Sequence, residues 1–445
     1  MDGTKIFQRL GLTAINSRII PRPDHVLSRA GISENALKVL YRLKGAGYEA
    51  YLVGGGVRDL LLGREPKDFD VATDAHPEQI KEVFRNCRLI GRRFRLAHVH
   101  FGREIIEVAT FRAQHTEAED GEMTEEGRII RDNVYGTVED DAVRRDFTVN
   151  ALYYNIKDFS VVDYAGGMED LDAGVLRLIG DPEVRYREDA VRMLRAVRFA
   201  AKLGFRIHPD AEAPIFELGH LLRDIAAARL FEEVLKLFMG GSAVSTYELL
   251  CHYNLLQYLF PQTADALEND QHGFFHALIL HAMENTDSRI AAGKPVTPAF
   301  LYAVLMWMPM QRRAKELRRE GMTEVQSICE AGGEVLAEQS RYVVFPKRFS
   351  LQTREIWQLQ PRLKRTLGNG PLRLLEHPRF RASYDFLLLR AEAGETHQEL
   401  CDWWTEFQLE NPDVIAQAAS CAAPKKRARR RPRKQPPAGG SGESA

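Results

Sequence analysis

Two aspartates one residue apart, Asp68 and Asp70 in "KDFDVAT", are the residues of this chain best placed to do chemistry. Side chains alternate faces along a strand, so an extended Asp-Phe-Asp points both carboxylates one way and Phe69 the other. Like charges that close repel, and the arrangement costs stability unless a cation lies between them. Hard divalent cations take carboxylate oxygens, and a pair of Mg²⁺ ions about 4 Å apart is the device for in-line nucleotidyl or phosphoryl transfer. A third carboxylate is expected to complete such a site. Glu107 in "IIEVATF" is the candidate, because an acid inside an apolar strand needs a reason. The plainer reading of Glu107 is a solvated outward residue on an edge strand.

Upstream, "YLVGGGVRDLLLG" ends an apolar run in Gly54, Gly55 and Gly56 and then opens a helix. Backbone amides at such a helix start bind phosphate, and Arg58 falls in that first turn. A pair of glycines also occurs in ordinary turns; the spacing to Asp68 and Asp70 is the more specific feature. The stretch is neither a Walker A loop nor a dinucleotide G-x-G-x-x-G.

These residues need elements to hold them. "SENALKVLYRLKGAG" predicts a helix capped by Ser33 and ended by Gly45 and Gly47. "YEAYLVGG" and "KDFDVAT" predict strands, "GVRDLLLG" and "PEQIKEVF" helices, and "RLAHVHFG" and "EIIEVATF" strands about a turn at Gly102. Residues 1–30 lack a clear period and read as a mobile leader. Residues 114–132, acidic and without period, read as an exposed loop. "FSVVDYAGGMEDLDAGVLRLIG" reads as a hairpin-rich close. After about Pro182 the strand signals stop, and "REDAVRMLRAVRFAAKLG", "AARLFEEVLKLFMG" and later segments carry helical spacing. The expected fold class is α+β: a head with a mixed sheet, an all-α neck and body, and an unstructured tail. The expected divisions are 1–30, 31–180, 181–245, 246–421 and 422–445.

Composition agrees with a globular chain. Of 445 residues, 44% are hydrophobic and 28% charged, as is usual for folded proteins. No apolar run reaches the roughly 20 residues that span a bilayer, and the N-terminus lacks the apolar core of a secretory signal. Five scattered cysteines, an odd count without close pairs, point to a reducing compartment and a cytoplasmic location. The net charge of −1 conceals an asymmetry. Lys425, Lys426, Arg427 and Arg429, followed by Arg430, Arg431, Arg433 and Lys434, form a basic tail on an acidic body. The plain reading of that tail is solubilising; beside a phosphate site, attraction to nucleic acid is favoured.

At this point the chain resembles the nucleotidyltransferases of the DNA polymerase β superfamily, in the bacterial branch that holds poly(A) polymerases and class II CCA-adding enzymes. The carrying segments are "LVGGGVRDLLLG", "KDFDVAT", "EVATFR", "RRDFTVNALYY", "DYAGGMEDLDAGVLRLIG" and "RYREDAVRMLRAVRFAAKLGF", in family order over about residues 37–240. The resemblance implies that Asp68 and Asp70 bind two Mg²⁺ ions with Glu107 as third acid, and that Gly54, Gly55 and Arg58 meet the triphosphate of ATP. It implies that Arg145, Asp146 and Asn150 contact or order the nucleotide, with Asp146 sometimes counted among the catalytic acids. A helix cap is the plain reading of Asp146. In "REDAVRMLR", Asp189 and Arg192 would present an acceptor and a donor fork to the base edge, with Arg195 also on the nucleotide. An intrahelical salt bridge is their plain reading.

Polyadenylation and CCA addition share those motifs. "RLIGRRFRLAHVHFG" with Arg92, Arg93 and Arg95, the basic tail, and the C-terminal segments resemble the poly(A) polymerases. The implied reaction is template-independent transfer of AMP from ATP to single-stranded RNA 3′ ends. CCA addition to tRNA is the alternative, and a non-catalytic RNA-binding regulator is a third reading.

Overall fold

The computed structural model describes residues 17–91, 95–113 and 134–414. Arg92, Arg93 and the tail from Lys425 to Lys434 lie outside the described residues, as does the loop read at 114–132.

The framework is an eight-stranded mixed sheet in the order β1-β8-β7-β2-β3-β6-β5-β4. Its strands are β1 Arg18–Ile20, β2 Ala50–Val53, β3 Asp70–Thr73, β4 Cys87–Ile90, β5 Leu96–Phe101, β6 Glu104–Thr110, β7 Leu152–Asn155 and β8 Val161–Asp163. Within this sheet β3 and β6 run parallel; the other neighbours are antiparallel. One face is covered by helix Glu34–Gly45, through Ala36, Val39, Leu40 and Leu43, and by helix Pro77–Val83, through Ile80. Ser33 caps the first of these helices by accepting from the Ala36 amide at 3.1 Å. A smaller cluster that includes Val53, Ala72, Val138 and Tyr153 lies on the opposite face.

The remainder is helical. Helix Pro182–Glu188 leads into helix Val191–Leu203, and further helices run on to Gln398–Glu410. Aromatic residues lock the distal part. Trp357 donates its indole N–H to the Ala303 carbonyl at 3.0 Å, and Trp404 to the Leu363 carbonyl at 2.8 Å. Buried indoles need such acceptors.

Several sequence expectations are corrected. The described part of the leader is not loose: Arg18–Ile20 pairs antiparallel with β8. Three residues are too short to show a period, so pattern reading misses an edge strand of this kind. Residues Gly167–Ala173 form a helix between β8 and the two-residue β9 Val175–Leu176, not a hairpin. Strand structure also persists once beyond Pro182, where β10 Arg206–Ile207 pairs with β9.

Candidate active site

The strand β3 begins at Asp70, so Asp68 stands in the approach to the strand instead of on it. Asp68 is exposed and Asp70 is half-buried. The parallel register places Asp70 opposite Glu107 on β6, which puts the two carboxylates side by side on one face. Glu107 is 49% exposed, and the Nε2 of His98 on β5 lies 3.2 Å from its Oε1. That contact is not aligned as a hydrogen bond, since His98 Nε2 is buried without a hydrogen-bond partner among the described residues.

Asp70 carries the electrostatic signature of the site. Burial first, then Glu107 and Asp68, push its carboxyl up to about 6, against a smaller lowering by Arg145. Burial and Glu107 therefore dominate the shift of Asp70, and the lowering by Arg145 exceeds the small raising by Asp68. Among the described residues, no three His, Cys, Asp or Glu side chains come together in a group that could hold a metal ion, so the structure brings Asp70 and Glu107 together but does not gather Asp68 with them into a three-acid set. Oxygen donors in an open, mutually repelling arrangement nevertheless fit hard divalent cations, which take carboxylates and keep several waters.

A glycine turn lies beside the acids. Gly54 has φ +70° and ψ −136°, a combination nearly closed to residues with a Cβ. A Cβ there would also come within 3.2 Å of Arg145 Nη1. Gly54 therefore lets the backbone turn directly beneath that guanidinium. A Cβ at Gly55 would lie 3.5 Å from Arg58 Nη2, an ordinary packing contact.

Behind the turn runs a chain of alternating charges. Arg58 is buried, 2% exposed. It donates to Asp59 Oδ1 from Nε at 2.9 Å and from Nη2 at 2.6 Å, and to Asn150 Oδ1 from Nη1 at 2.5 Å. Asn150 Nδ2 donates to Asp146 Oδ1 at 3.2 Å. Asp146 Oδ1 also accepts the Phe147 amide at 2.9 Å, and its Oδ2 accepts Arg195 Nε at 2.7 Å. Burial works to raise the Asp146 carboxyl, but Arg195 and these hydrogen bonds outweigh it and hold the carboxyl below the usual range. Both oxygens of Asp146 are thus taken by protein donors. The helix cap offered as its plain reading does not form, because the short turn Thr148–Asn150 starts from Phe147 without a side-chain cap bond; Asp146 instead ties to helix Val191–Leu203 through Arg195.

Arg145 is fixed by partners that motif reading did not single out. It donates to the Tyr153 hydroxyl at 2.8 Å and to Asp141 Oδ2 at 3.0 Å, while the Tyr153 hydroxyl donates to the same Asp141 oxygen at 2.7 Å. Burial would lower the Arg145 pKa, but Tyr153 and Asp141 reverse that and raise it. Asp141 precedes Arg145 by four residues on helix Val138–Arg144, a spacing that could have flagged the pair. Arg185, also missed, donates to the Arg144 and Arg145 carbonyls at 2.8 Å each. Burial and Arg192 lower its pKa to about 10.

The segment "REDAVRMLR" is not one helix. It breaks at Asp189, where φ is −154°. Asp189 and Arg192 therefore do not share a helix face, and they are not paired with each other. Asp189 Oδ2 accepts from Arg229 at 2.6 Å, while Arg192 donates to Glu188 at 2.8 Å and to the Arg185 carbonyl at 2.6 Å. Further along, Arg58, Arg195 and Arg198 each place a guanidinium over the Phe199 ring, at 5.2, 5.4 and 4.4 Å from its centroid. Arg198 was also missed. Its Nε is buried without a hydrogen-bond partner among the described residues, and burial with the neighbouring Arg195 pushes its pKa down. Arg95 is ion-paired with Glu78 on the surface.

A mixed sheet that carries adjacent strand carboxylates beside a glycine turn, and arginines opposite, defines a nucleotidyltransferase head. Comparison with known proteins agrees. Residues 50–177 match the family described as the poly A polymerase head domain, 204–267 a probable RNA and SrmB-binding site of polymerase A, and 320–436 the polymerase A arginine-rich C-terminus. The chain is 52% identical over 430 residues to poly(A) polymerase I of Escherichia coli O157:H7, covering 94% of this chain and 92% of that one. It is 49% identical over 403 residues to poly(A) polymerase I of Haemophilus influenzae, covering 89% of each. The Bacillus stearothermophilus CCA-adding enzyme in complex with CTP shares the fold with a TM-score of 0.55 at 26% identity, covering 85% of this chain and 82% of that one. This chain belongs to the bacterial poly(A) polymerase I family.

Proposed function

We propose that the chain transfers AMP from ATP to the 3′-hydroxyl of single-stranded RNA, releases pyrophosphate, and repeats the step without a template. The single observation that carries this reading is the opposed pair of unbalanced charges. The Asp70 and Glu107 carboxylates stand side by side, with the Asp70 carboxyl pushed up by burial and by Glu107, and Arg198 keeps a buried Nε without a hydrogen-bond partner among the described residues. A magnesium–triphosphate substrate answers both at once.

Two Mg²⁺ ions held by Asp68, Asp70 and Glu107 would supply activation of the attacking hydroxyl and neutralisation of the departing pyrophosphate. The chain's own groups do the positioning. Gly54 and Gly55 allow close approach of the triphosphate, and Arg145, clamped by Asp141 and Tyr153, offers its remaining donors near Asp70. Arg58, Asn150, Asp146 and Arg195 hold the donor wall in place, so Asp146 serves as a positioning residue. Asp189 and Arg192 are proposed to meet the base edge. An arginine anchored on one side and open on the other loses little freedom when a phosphate arrives. The segment 31–180 is proposed as catalytic head, 181–245 as nucleotide- and RNA-binding neck, and 246–421 as RNA-binding body. Among the described residues no helix is long and apolar enough to cross a membrane. A cytoplasmic site of action fits RNA and ATP as substrates.

The test is primer extension with purified protein, Mg²⁺, an RNA without tRNA shape, and each nucleoside triphosphate separately. A long ladder with ATP alone is expected. Addition of C, C and A to a trimmed tRNA, with no ladder on arbitrary RNA, would transfer the chain to CCA addition. RNA binding without any incorporation would leave the regulator reading.

A further inference from the structure

The helical body contains an open groove of about 610 Å³ between helices Trp307–Arg319, Glu324–Gln339 and Lys347–Leu363. It lies outside residues 204–267, where the family comparison places a probable RNA-binding site, and it contains none of the active-site residues. Five cationic side chains line it against two carboxylates.

Those two carboxylates are already committed. Glu395 accepts Arg390 Nε at 3.0 Å and Nη2 at 3.1 Å, and the Trp307 indole N–H at 2.8 Å. Glu324 accepts Lys364 at 3.1 Å. The floor is rigid. Arg390 is buried, stacks 4.6 Å over the Trp307 ring, and donates to Gln360 Oε1 at 3.0 Å. On the rim, Arg312 donates to Asp265 at 2.9 Å. Lys315 and Arg318, three and six residues further along the same helix, are exposed and have no ion-pair partner among the described residues. Their spacing puts Arg312, Lys315 and Arg318 along one helix face. The groove is therefore concave, with a packed polar floor and a row of cations that the protein neutralises only in part.

We propose that this body groove binds the sugar–phosphate backbone of single-stranded RNA through Lys315 and Arg318, as a contact additional to the site that holds the 3′ end. The proposal rests on the reading of the chain as an RNA 3′-end adenylyltransferase. Spaced, unneutralised cations in a groove are what a flexible polyanion selects, and the polar floor gives a folded protein partner little apolar surface to bury. The contact reads charge and not sequence, as a template-independent polymerase requires.

The test uses the full chain and a 5′-labelled oligo(A) of about 20 nucleotides. Dissociation constants are measured between about 50 and 200 mM salt for the wild type and for a Lys315→Glu/Arg318→Glu double variant. A Lys38→Glu/Lys44→Glu variant on helix Glu34–Gly45 imposes the same change in net charge elsewhere. The groove variant is expected to bind at least tenfold more weakly, with a salt slope reduced by about 1.4 because two phosphates are no longer neutralised, and to raise the KM for RNA while the KM for ATP stays put. The Lys38/Lys44 variant is expected to keep the wild-type slope. Thermal melting of both variants confirms folding, and Lys315→Ala/Arg318→Ala gives the same comparison with smaller change in charge. Equal slopes in the groove variant and wild type would overturn the proposal, as would equal losses in both charge-reversed variants. Tight binding of an acidic peptide with no change in RNA affinity would assign the groove to a protein partner instead. Failure of the wild type to extend RNA with ATP would count against the adenylyltransferase reading, and the slope comparison would still decide the groove.

Discussion

The acidic edge and the arginine wall of the active site meet the same physical problem in opposite ways. Asp70 stands beside Glu107 on the neighbouring strand, and burial together with Glu107 displaces its carboxyl up to about 6. On the wall, Arg58, Arg145 and Arg195 are each held by acids of the chain, namely Asp59, Asp141 and Asp146. One region sets acids side by side; the other uses most of its charge to fix geometry and leaves a few donors over. Removal of an acid from the edge should therefore cost function alone, and removal of an acid from the wall should cost the fold.

The largest effect is expected at the edge. Asp70→Asn, or Asp68→Asn, should reduce AMP incorporation by at least about a thousandfold, with RNA binding by gel shift nearly unchanged and a melting temperature equal to or above wild type. Retained polymerisation in either would remove these acids from the reaction. On the wall, Asp146→Ala should cost about 3 kcal/mol of stability in denaturant melts. This is the low end for a buried pair, because the Arg195 side chain remains 33% exposed. A variant as stable as wild type would erase the contrast.

The pH dependence sharpens it. A carboxyl whose folded pKa lies above its unfolded value stabilises the fold while protonated, and that contribution is lost as pH rises through the folded value. For Asp70 the window runs from about 4 to about 6, and the loss is at most about 3 kcal/mol. Asp146, held low, acts with the opposite sign, so its contribution is lost as pH falls. Melting curves between pH 4 and 7, compared for wild type and Asp70→Asn, should show the first component only in the wild type. A smaller effect belongs to Tyr153→Phe, which removes one hydroxyl from the Arg145 clamp. The KM for ATP should rise about tenfold, with a smaller change in kcat. Deletion of residues 425–445 should weaken RNA binding and flatten its salt slope, by about 0.7 for each phosphate that the tail neutralises, while leaving the KM for ATP in place.

The pairing of Asp70 with Glu107 on neighbouring strands could be suspected from the sequence because Glu107 is an anomaly in an apolar strand, whereas alternation put Asp68 on a strand that begins only at Asp70. The helix capped by Ser33 and the strands on either side of Gly102 were legible for similar reasons, since caps and alternation act over a few residues. Much of the wall was not. Arg58 finds Asn150 across 92 residues, Arg195 finds Asp146 across 49, and Asp189 finds Arg229 across 40. Helical spacing predicted a partnership between Asp189 and Arg192 that the break at Asp189 undoes. Asp141 was within reach of sequence reasoning, four residues before Arg145, but Tyr153 was not, because its role depends on β7 lying beside that helix end. Arg198 sits on the periodic pattern of the neck helix, and nothing in its type announces a buried nitrogen without a partner.

The central claim is that the edge carboxylates are arranged for divalent cations. It is tested most directly by following the melting temperature of wild type and Asp70→Asn at pH 7.5 as Mg²⁺ is added without nucleotide. The wild type should rise by a few degrees, because a cation that binds only the folded state stabilises it, and Asp70→Asn should start at least as high and respond little. An equal response in both proteins, or none in the wild type, would contradict the assignment.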